Sequence, residues 1–301
     1  MGLTHVEHRT AIDPVERPDV LGVLSPSRAS DFLSCPLKYR FRVIDKIPEK
    51  PSPEAARGTV VHAVLERLFD LPAASRTFDE ADQLLVPQWD ALVEAEPELA
   101  GLFDDDSTTV DSFLARAREL LSGYFTLEDP TRLEPAEREL YVESLLDSGL
   151  LLRGYVDRLD VAPNGAVRVV DYKTGKAPRE GYEQRAMFQM RFYALVLWRL
   201  RGTVPKLLQL VYLGSGHVLR YEPDEADLLA TERKLHAVWK AIDRARSTGE
   251  WRSSPSALCD WCDHKVRCPS FGGTPPPLPE QTDVADVDSE APSPRASAVD
   301  L

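Results

Sequence analysis

The sequence predicts an α/β protein with a mixed central sheet flanked by helices, and three observations predict it. Apolar residues fall at helical intervals over residues 27–39, 55–71, 184–201 and 224–247. Alternating or continuously apolar runs at 139–146, 150–161, 167–172, 207–213 and 217–221 read as strands. Turn residues separate them: Pro163-Asn164-Gly165 supplies a hairpin turn and Gly214-Ser215-Gly216 joins the last two strands. Ser25 and Ser27 are N-cap candidates for the first helix, and Pro48, Pro51 and Pro53 divide it from the second. The core order is helix, three strands, helix, two strands, helix. Residues 79–127 place Leu84, Leu85, Trp89, Leu92, Phe113, Leu120 and Leu121 at helical spacing, broken near Pro97 and Gly101, and read as a helical insertion. Residues 1–23 and 272–301 lack periodicity and read as disordered tails around a folded domain at 24–271, which ends in a cysteine-bearing segment at about 251–270.

With 301 residues and 43% apolar side chains, the chain can bury a sizeable core. Glu7, Asp13, Glu16 and Asp19 interrupt the N-terminal stretch, which lacks the basic-then-apolar pattern of a secretory leader. The longest apolar stretch, 192–198, is about a third of the ~20 residues a membrane span needs. A cytoplasmic protein with no membrane partner is the expectation. The net charge of −13 argues against nucleic acid until it is divided along the chain. Residues 70–150 carry 20 acids and 5 bases, whereas residues 151–201 carry 10 bases and 5 acids. Local potential steers a phosphate backbone, so DNA stays open as a partner.

The basic stretch holds the residues with the most evident chemistry. Asp157 lies in the strand at 150–161, Asp171 ends the next strand, and Lys173 follows two residues on. Hairpin pairing would bring the carboxylates together, and alternation puts Asp171 and Lys173 on one face. Crowded carboxylates resist ionising unless a cation sits between them, and hard oxygen ligands suit Mg²⁺ or Mn²⁺. Taken alone, an Asp-x-Lys at a strand end reads as a solvated ion pair.

The neighbouring segments change that reading. Gly154-Tyr155-Val156-Asp157-Arg158-Leu159-Asp160 and Val170-Asp171-Tyr172-Lys173-Thr174-Gly175-Lys176 resemble the RecB-like branch of the PD-(D/E)XK nuclease superfamily. Arg57-Gly58-Thr59-Val60-Val61-His62, followed by Leu65-Glu66, is similar to that family's histidine helix, and Gln189-Met190-Arg191-Phe192-Tyr193 to its Gln-x3-Tyr helix. The resemblance runs from about Leu24 to Cys268 and implies a restriction-endonuclease-like core. It implies that His62, Asp157, Asp171 and the backbone carbonyl of Tyr172 hold Mg²⁺ or Mn²⁺, and that Lys173 positions or deprotonates the attacking water. Gln189 and Tyr193 would meet the DNA and the edge of the site. An imidazole ligand biases the choice toward Mn²⁺. Tyr193 reads equally well as core packing, and Glu139, where the family often has an acid, reads equally well as a solvated strand charge. Lys176, Arg179, Arg185 and Arg191 would grip phosphates with weak sequence preference; a solvated helix face is their plain alternative.

The four cysteines are Cys35 and the cluster Cys259-x2-Cys262-x5-Cys268. In a cytosolic protein a close pair points to metal or redox chemistry more than to a structural disulfide. One remote and three clustered cysteines, in the contexts Cys35-Pro36 and Cys268-Pro269, resemble the iron–sulfur nucleases of this branch, which include CRISPR adaptation nucleases and helicase-associated nuclease subunits. The resemblance implies a 4Fe–4S cluster that staples the N- and C-terminal segments together. Zn²⁺, on four thiolates or on three with His264, is the rival. Either metal would gather Arg28, Lys38, Arg40, Arg42, Lys265 and Arg267 into a basic ridge.

What the resemblance implies is a metal-dependent DNA exonuclease, acting on single strands or DNA ends in recombination, repair or CRISPR adaptation. The alternative is a non-catalytic iron–sulfur or zinc subunit that binds DNA or scaffolds a nuclease–helicase complex. A third reading is a zinc-stabilised interaction protein with an accidental Asp-x-Lys. The sequence contains no Gly-x4-Gly-Lys-Ser/Thr motif, so unwinding would need a helicase or adaptation protein as partner.

Overall fold

The computed structural model describes residues 20–103 and 109–279. The described chain opens with strand β1 (Gly22–Leu24), helix α1 (Pro26–Ser34) and the short helix α2 (Pro36–Tyr39). Ser25 caps α1 by accepting the Arg28 N–H at 3.2 Å. Pro36 disfavours helical geometry at the residue before it, and Cys35 takes φ −159° and ψ 109°. The single helix expected over 27–39 is therefore two, with Cys35 in the break. Helices α3 (Pro53–Leu68), α4 (Phe78–Ala95) and α5 (Val110–Leu127) follow. Then come β2 (Glu137–Leu145), β3 (Leu150–Val161), β4 (Val167–Lys173), α6 (Glu183–Arg201), β5 (Leu207–Tyr212), β6 (His217–Tyr221) and α7 (Glu225–Thr248). The β3–β4 turn uses Gly165 at φ 81°, a conformation that costs glycine little.

The sheet is mixed. Strand β3 runs antiparallel to β2 and β4, β5 lies parallel to β4 across the α6 crossover, β6 returns antiparallel to β5, and β1 lies parallel to β3. Because β2 occupies one edge of β3, β1 and β4 share the other. Strand β1 pairs with Leu150, Leu151 and Leu152, and β4 with the stretch from Arg158 to Val161, which leaves residues 153–157 between them on that edge.

Helices cover both faces. One face buries Leu152, Val156, Val169 and Leu210 with side chains from α1, α6 and α7, and the other buries Val170, Tyr172 and Val211 with α3, α4 and α5. Neighbours such as Leu210 and Val211 go to opposite layers, so β5 reads as almost continuously apolar. Helices α4 and α5, read from the sequence as an insertion, share one apolar cluster with α3 and cover that second face, burying Leu85, Phe113 and Leu121.

The expected tails need revision. Residues 1–19 lie outside the described residues, but Gly22 and Val23 belong to β1 and Val23 is buried. A three-residue strand is too short to show alternation and depends on β3 for its partner. At the other end, Arg40 donates to the Pro276 carbonyl, so part of the 272–301 tail contacts the folded protein. Residues 280–301 lie outside the described residues. Among the described residues no helix is long and apolar enough to cross a membrane.

Candidate functional site

The site forms where β3 and β4 part. Their ladder runs from Val161↔Val167 to Arg158↔Val170, and the next residues, Asp157 and Asp171, carry carboxylates into the gap. Asp157 Oδ2 accepts the Tyr172 N–H at 2.8 Å, so a side chain takes the place of a ladder bond. From the α3 layer, His62 Nδ1 comes within 3.4 Å of Asp157 Oδ2. Strand β2 adds Glu139, and His62, Glu139 and Asp157 each offer a ligand atom within 4.8 Å of one another. The Tyr172 phenol turns into the same α3–α5 layer, its ring edge-on to His62 with centroids 6.1 Å apart and its hydroxyl on Arg158.

From the α6 layer comes Gln189. Its Oε1 accepts from Lys173 Nζ at 3.0 Å, and its Nε2 donates to Asp171 Oδ1 at 3.0 Å and to the Tyr193 hydroxyl at 3.2 Å. Lys173 Nζ also lies 3.0 Å from Asp171 Oδ2. The Gln189 amide, expected to meet DNA, is thus committed to Lys173, Asp171 and Tyr193. Tyr193, expected to meet DNA or pack in the core, is buried and reaches the site only through its hydroxyl on Gln189. Gly154 makes room for that ring: a Cβ there would come within 2.8 Å of Tyr193 Cε1.

The gap holds more negative charge than its surroundings offset. Burial, with Asp157, Glu66 and Asp171 nearby, pushes the Glu139 carboxyl up to about 9. Burial pushes Asp171 up to about 7; Asp157 adds to the shift, and Lys173 and His62 oppose it. Both shifts express the cost of ionising crowded acids in a partly dry space, a cost that a cation removes. An imidazole beside carboxylate oxygens fits Mn²⁺ or Mg²⁺. Glu139 also holds φ 43°, a strained backbone conformation for a residue with a side chain. Sequence reasoning left Glu139 undecided. The deciding signal is register: Arg138 pairs with Arg158 and Leu140 with Val156, so Glu139 falls opposite Asp157.

The expected phosphate contacts divide. Lys176, Arg179 and Arg185 are exposed along the β4–α6 connection and the start of α6. Arg191 instead lies 4.4 Å over the Tyr221 ring and donates to Gln184 at 2.5 Å, turned toward β6. The basic ridge expected beside the cysteines is largely neutralised. Arg40 is buried on Asp45 at 3.0 Å, Lys38 and Arg42 meet Asp31 at 3.3 and 2.6 Å, and Lys265 meets Asp260 at 2.7 Å.

All four cysteines line one cavity of about 1200 Å³ between the first helices and the C-terminal segment. Cys35 Sγ accepts the Ser254 N–H at 3.4 Å, the Leu37 N–H donates to the Arg252 carbonyl at 3.1 Å, and Tyr39 stacks on Trp251 with centroids 5.9 Å apart. Among the described residues, no three of the cysteines bring their sulfurs within 4.8 Å of one another. His264 is buried, with Nε2 3.1 Å from Glu49 Oε1 and its ring against Phe41.

The chain belongs to the PD-(D/E)XK nuclease superfamily, whose sequence model matches residues 23–269. That span carries every residue of the gap. The Gene 69 protein of Mycobacterium phage D29 is 27% identical over 278 residues, covering 83% of this chain and 98% of that protein. The Gene 69 protein of Mycobacterium phage L5 is 24% identical over 291 residues, covering 84% and 98%. Among solved structures, a protein of Eubacterium rectale named "Putative exonuclease" aligns over 90% of this chain and 94% of its own, with 13% identity and a TM-score of 0.49.

Proposed function

We propose that this nuclease is a metal-dependent DNA exonuclease whose reacting centre is the gap between β3 and β4. The observation that carries the reading is the convergence there of His62, Glu139, Asp157, Asp171, Lys173 and Gln189 from α3, β2, β3, β4 and α6. His62, Glu139, Asp157 and Asp171, with the Tyr172 carbonyl, would hold Mn²⁺ or Mg²⁺. When bound, the ion lowers the pKa of water and offsets charge on the phosphoryl oxygens. Lys173 presents its ammonium to the attacking water or the phosphoryl oxygen, and Gln189 keeps that ammonium and the Asp171 carboxylate in place. Tyr193 fixes the Gln189 amide. Lys176, Arg179 and Arg185 would hold the DNA backbone without reading bases. An idle, non-catalytic site is disfavoured because every one of these groups is present.

Single strands or DNA ends are the proposed substrate, and recombination, repair or CRISPR adaptation alongside a helicase or adaptation protein the proposed setting; both rest on the family resemblance. The proposed second metal centre is a 4Fe–4S cluster on Cys35, Cys259, Cys262 and Cys268, acting as a staple. Supporting it are the one cavity that all four cysteines line and the contact of Cys35 with Ser254 of the C-terminal segment.

Labelled single- and double-stranded DNA, linear and circular, incubated with Mn²⁺ or Mg²⁺, tests the proposal. The expected result is release of nucleotides from linear DNA, stopped by a chelator, with circles left intact. Intact substrates under every condition would overturn the assignment of an active nuclease, and cut circles would make the enzyme an endonuclease.

A further inference from the structure

Arg158 follows Asp157 in β3, packs into the α3–α5 layer against Phe69 and Glu128 and is only 1% exposed. A guanidinium buried so completely must be paired, and this one is. Its Nη1 and Nη2 meet the two Glu128 oxygens at 2.8 and 2.9 Å, its Nε meets Asp160 Oδ2 at 3.3 Å, and Nη1 also donates to the Tyr172 hydroxyl. Glu128 is the residue that ends α5, and Gln209 of β5 donates to it at 3.0 Å. The network therefore joins the helical layer to three central strands directly beneath the site.

Its position matters because of where the sheet ladder stops. Beyond Arg158↔Val170 no backbone pairing sets the distance between β3 and β4. Two side-chain fastenings do so instead. Asp157 holds the Tyr172 N–H at the strand edge, and Arg158 holds the Tyr172 phenol within the α3–α5 layer. Tyr172 carries Asp171 and Lys173 on either side of it. Whatever fixes Tyr172 against Arg158 also fixes the Asp157–Asp171 separation that a metal ion would meet.

We propose that Arg158, anchored by Glu128 at the end of α5, is a positioning residue that sets the separation of Asp157 and Asp171 by holding the Tyr172 hydroxyl from within the α3–α5 layer. The inference rests on the metal-site reading above, and the test separates the two. Mn²⁺ binding is measured by calorimetry without DNA, together with kcat and KM for a labelled DNA strand. Tyr172→Phe removes the hydroxyl that Arg158 holds and keeps the ring against His62, and Arg158→Met removes the clamp. Both should weaken Mn²⁺ binding about tenfold and lower kcat while leaving KM nearly unchanged. Arg76→Met is the control. Arg76 is a second buried arginine of the helical layer, bonded to Leu71, Leu133 and Glu134, and its loss should lower the melting temperature without moving Mn²⁺ affinity. If Tyr172→Phe binds Mn²⁺ like the unaltered chain, or if Arg76→Met weakens it as much, the positioning role is overturned. Should Arg158→Met fail to fold, Tyr172→Phe decides alone. An unaltered chain that binds no Mn²⁺ would overturn the metal-site reading and this inference with it.

Discussion

Glu139 combines two costs at one position, a backbone at φ 43° and a carboxyl pushed up to about 9 by burial and neighbouring acids. The strained backbone costs about 1–2 kcal/mol. In the metal-free protein the folded state keeps a proton on Glu139 that the unfolded chain gives up near its ordinary value of 4.5. Its contribution to stability is thus fully present below about pH 4.5 and is lost as pH rises toward about 9, and Asp171 adds the same sign up to about 7. Metal-free protein should melt at falling temperature across that window, and Mn²⁺ should reverse the trend. Glu139→Gln should flatten it, raise the metal-free melting temperature at alkaline pH, and weaken Mn²⁺ binding at least about tenfold. Melting curves and calorimetry that do not change on substitution would remove Glu139 from the site. Alternation and hairpin pairing bring Asp157, Asp171 and Lys173 together in the sequence, but their role, like that of His62 and Gln189, is legible only because the segments around them resemble a family pattern. The role of Glu139 is not, because its meaning depends on the strand residue it faces.

The elements show where local pattern is sufficient and where partners decide. Strands β3 and β4 and helices α6 and α7 were legible within a residue or two, since each carries its own periodicity and its own turn or cap. Strand β1 was not, because three residues become a strand only beside β3. The break at Cys35 was written in Pro36, but apolar spacing over 27–39 masked it. Arg191 was assigned to DNA from charge alone, whereas the helix phase turns it onto Tyr221. Gly154 links element geometry to the site. Alanine there would put a Cβ 2.8 Å from the Tyr193 ring and 3.3 Å from Pro26 Cδ, and that ring holds Gln189. Gly154→Ala should cost about 1–3 kcal/mol of stability by denaturant titration and slow cleavage through a displaced Gln189. A variant of unchanged stability and rate would show that the ring moves aside freely.

For the whole molecule, a net charge of −13 must coexist with a DNA-binding face. If phosphate contacts near Lys176, Arg179 and Arg185 carry the affinity, binding should fall steeply between about 50 and 200 mM salt. Indifference to salt would remove that face. The two ends of the fold meet at Cys35, which lies against Ser254 although 219 residues separate them. Protein purified without oxygen should be brown, with about four irons per chain, and Cys35→Ala should lose iron and melt earlier. Colourless, zinc-loaded and fully active protein would refute the cluster. If the gap between β3 and β4 cleaves DNA, Lys173 is the side chain whose loss should matter most, because its ammonium is held there by Asp171 and Gln189. The measurement is Mn²⁺-dependent cleavage of end-labelled single-stranded DNA by the unaltered chain beside Lys173→Ala and Lys173→Arg. Both variants should fold normally and lose about 100-fold or more in rate, since alanine removes the charge and a guanidinium is bulkier and does not give up a proton. Cleavage by Lys173→Ala at the rate of the unaltered chain would contradict the reading of that gap as the reacting centre.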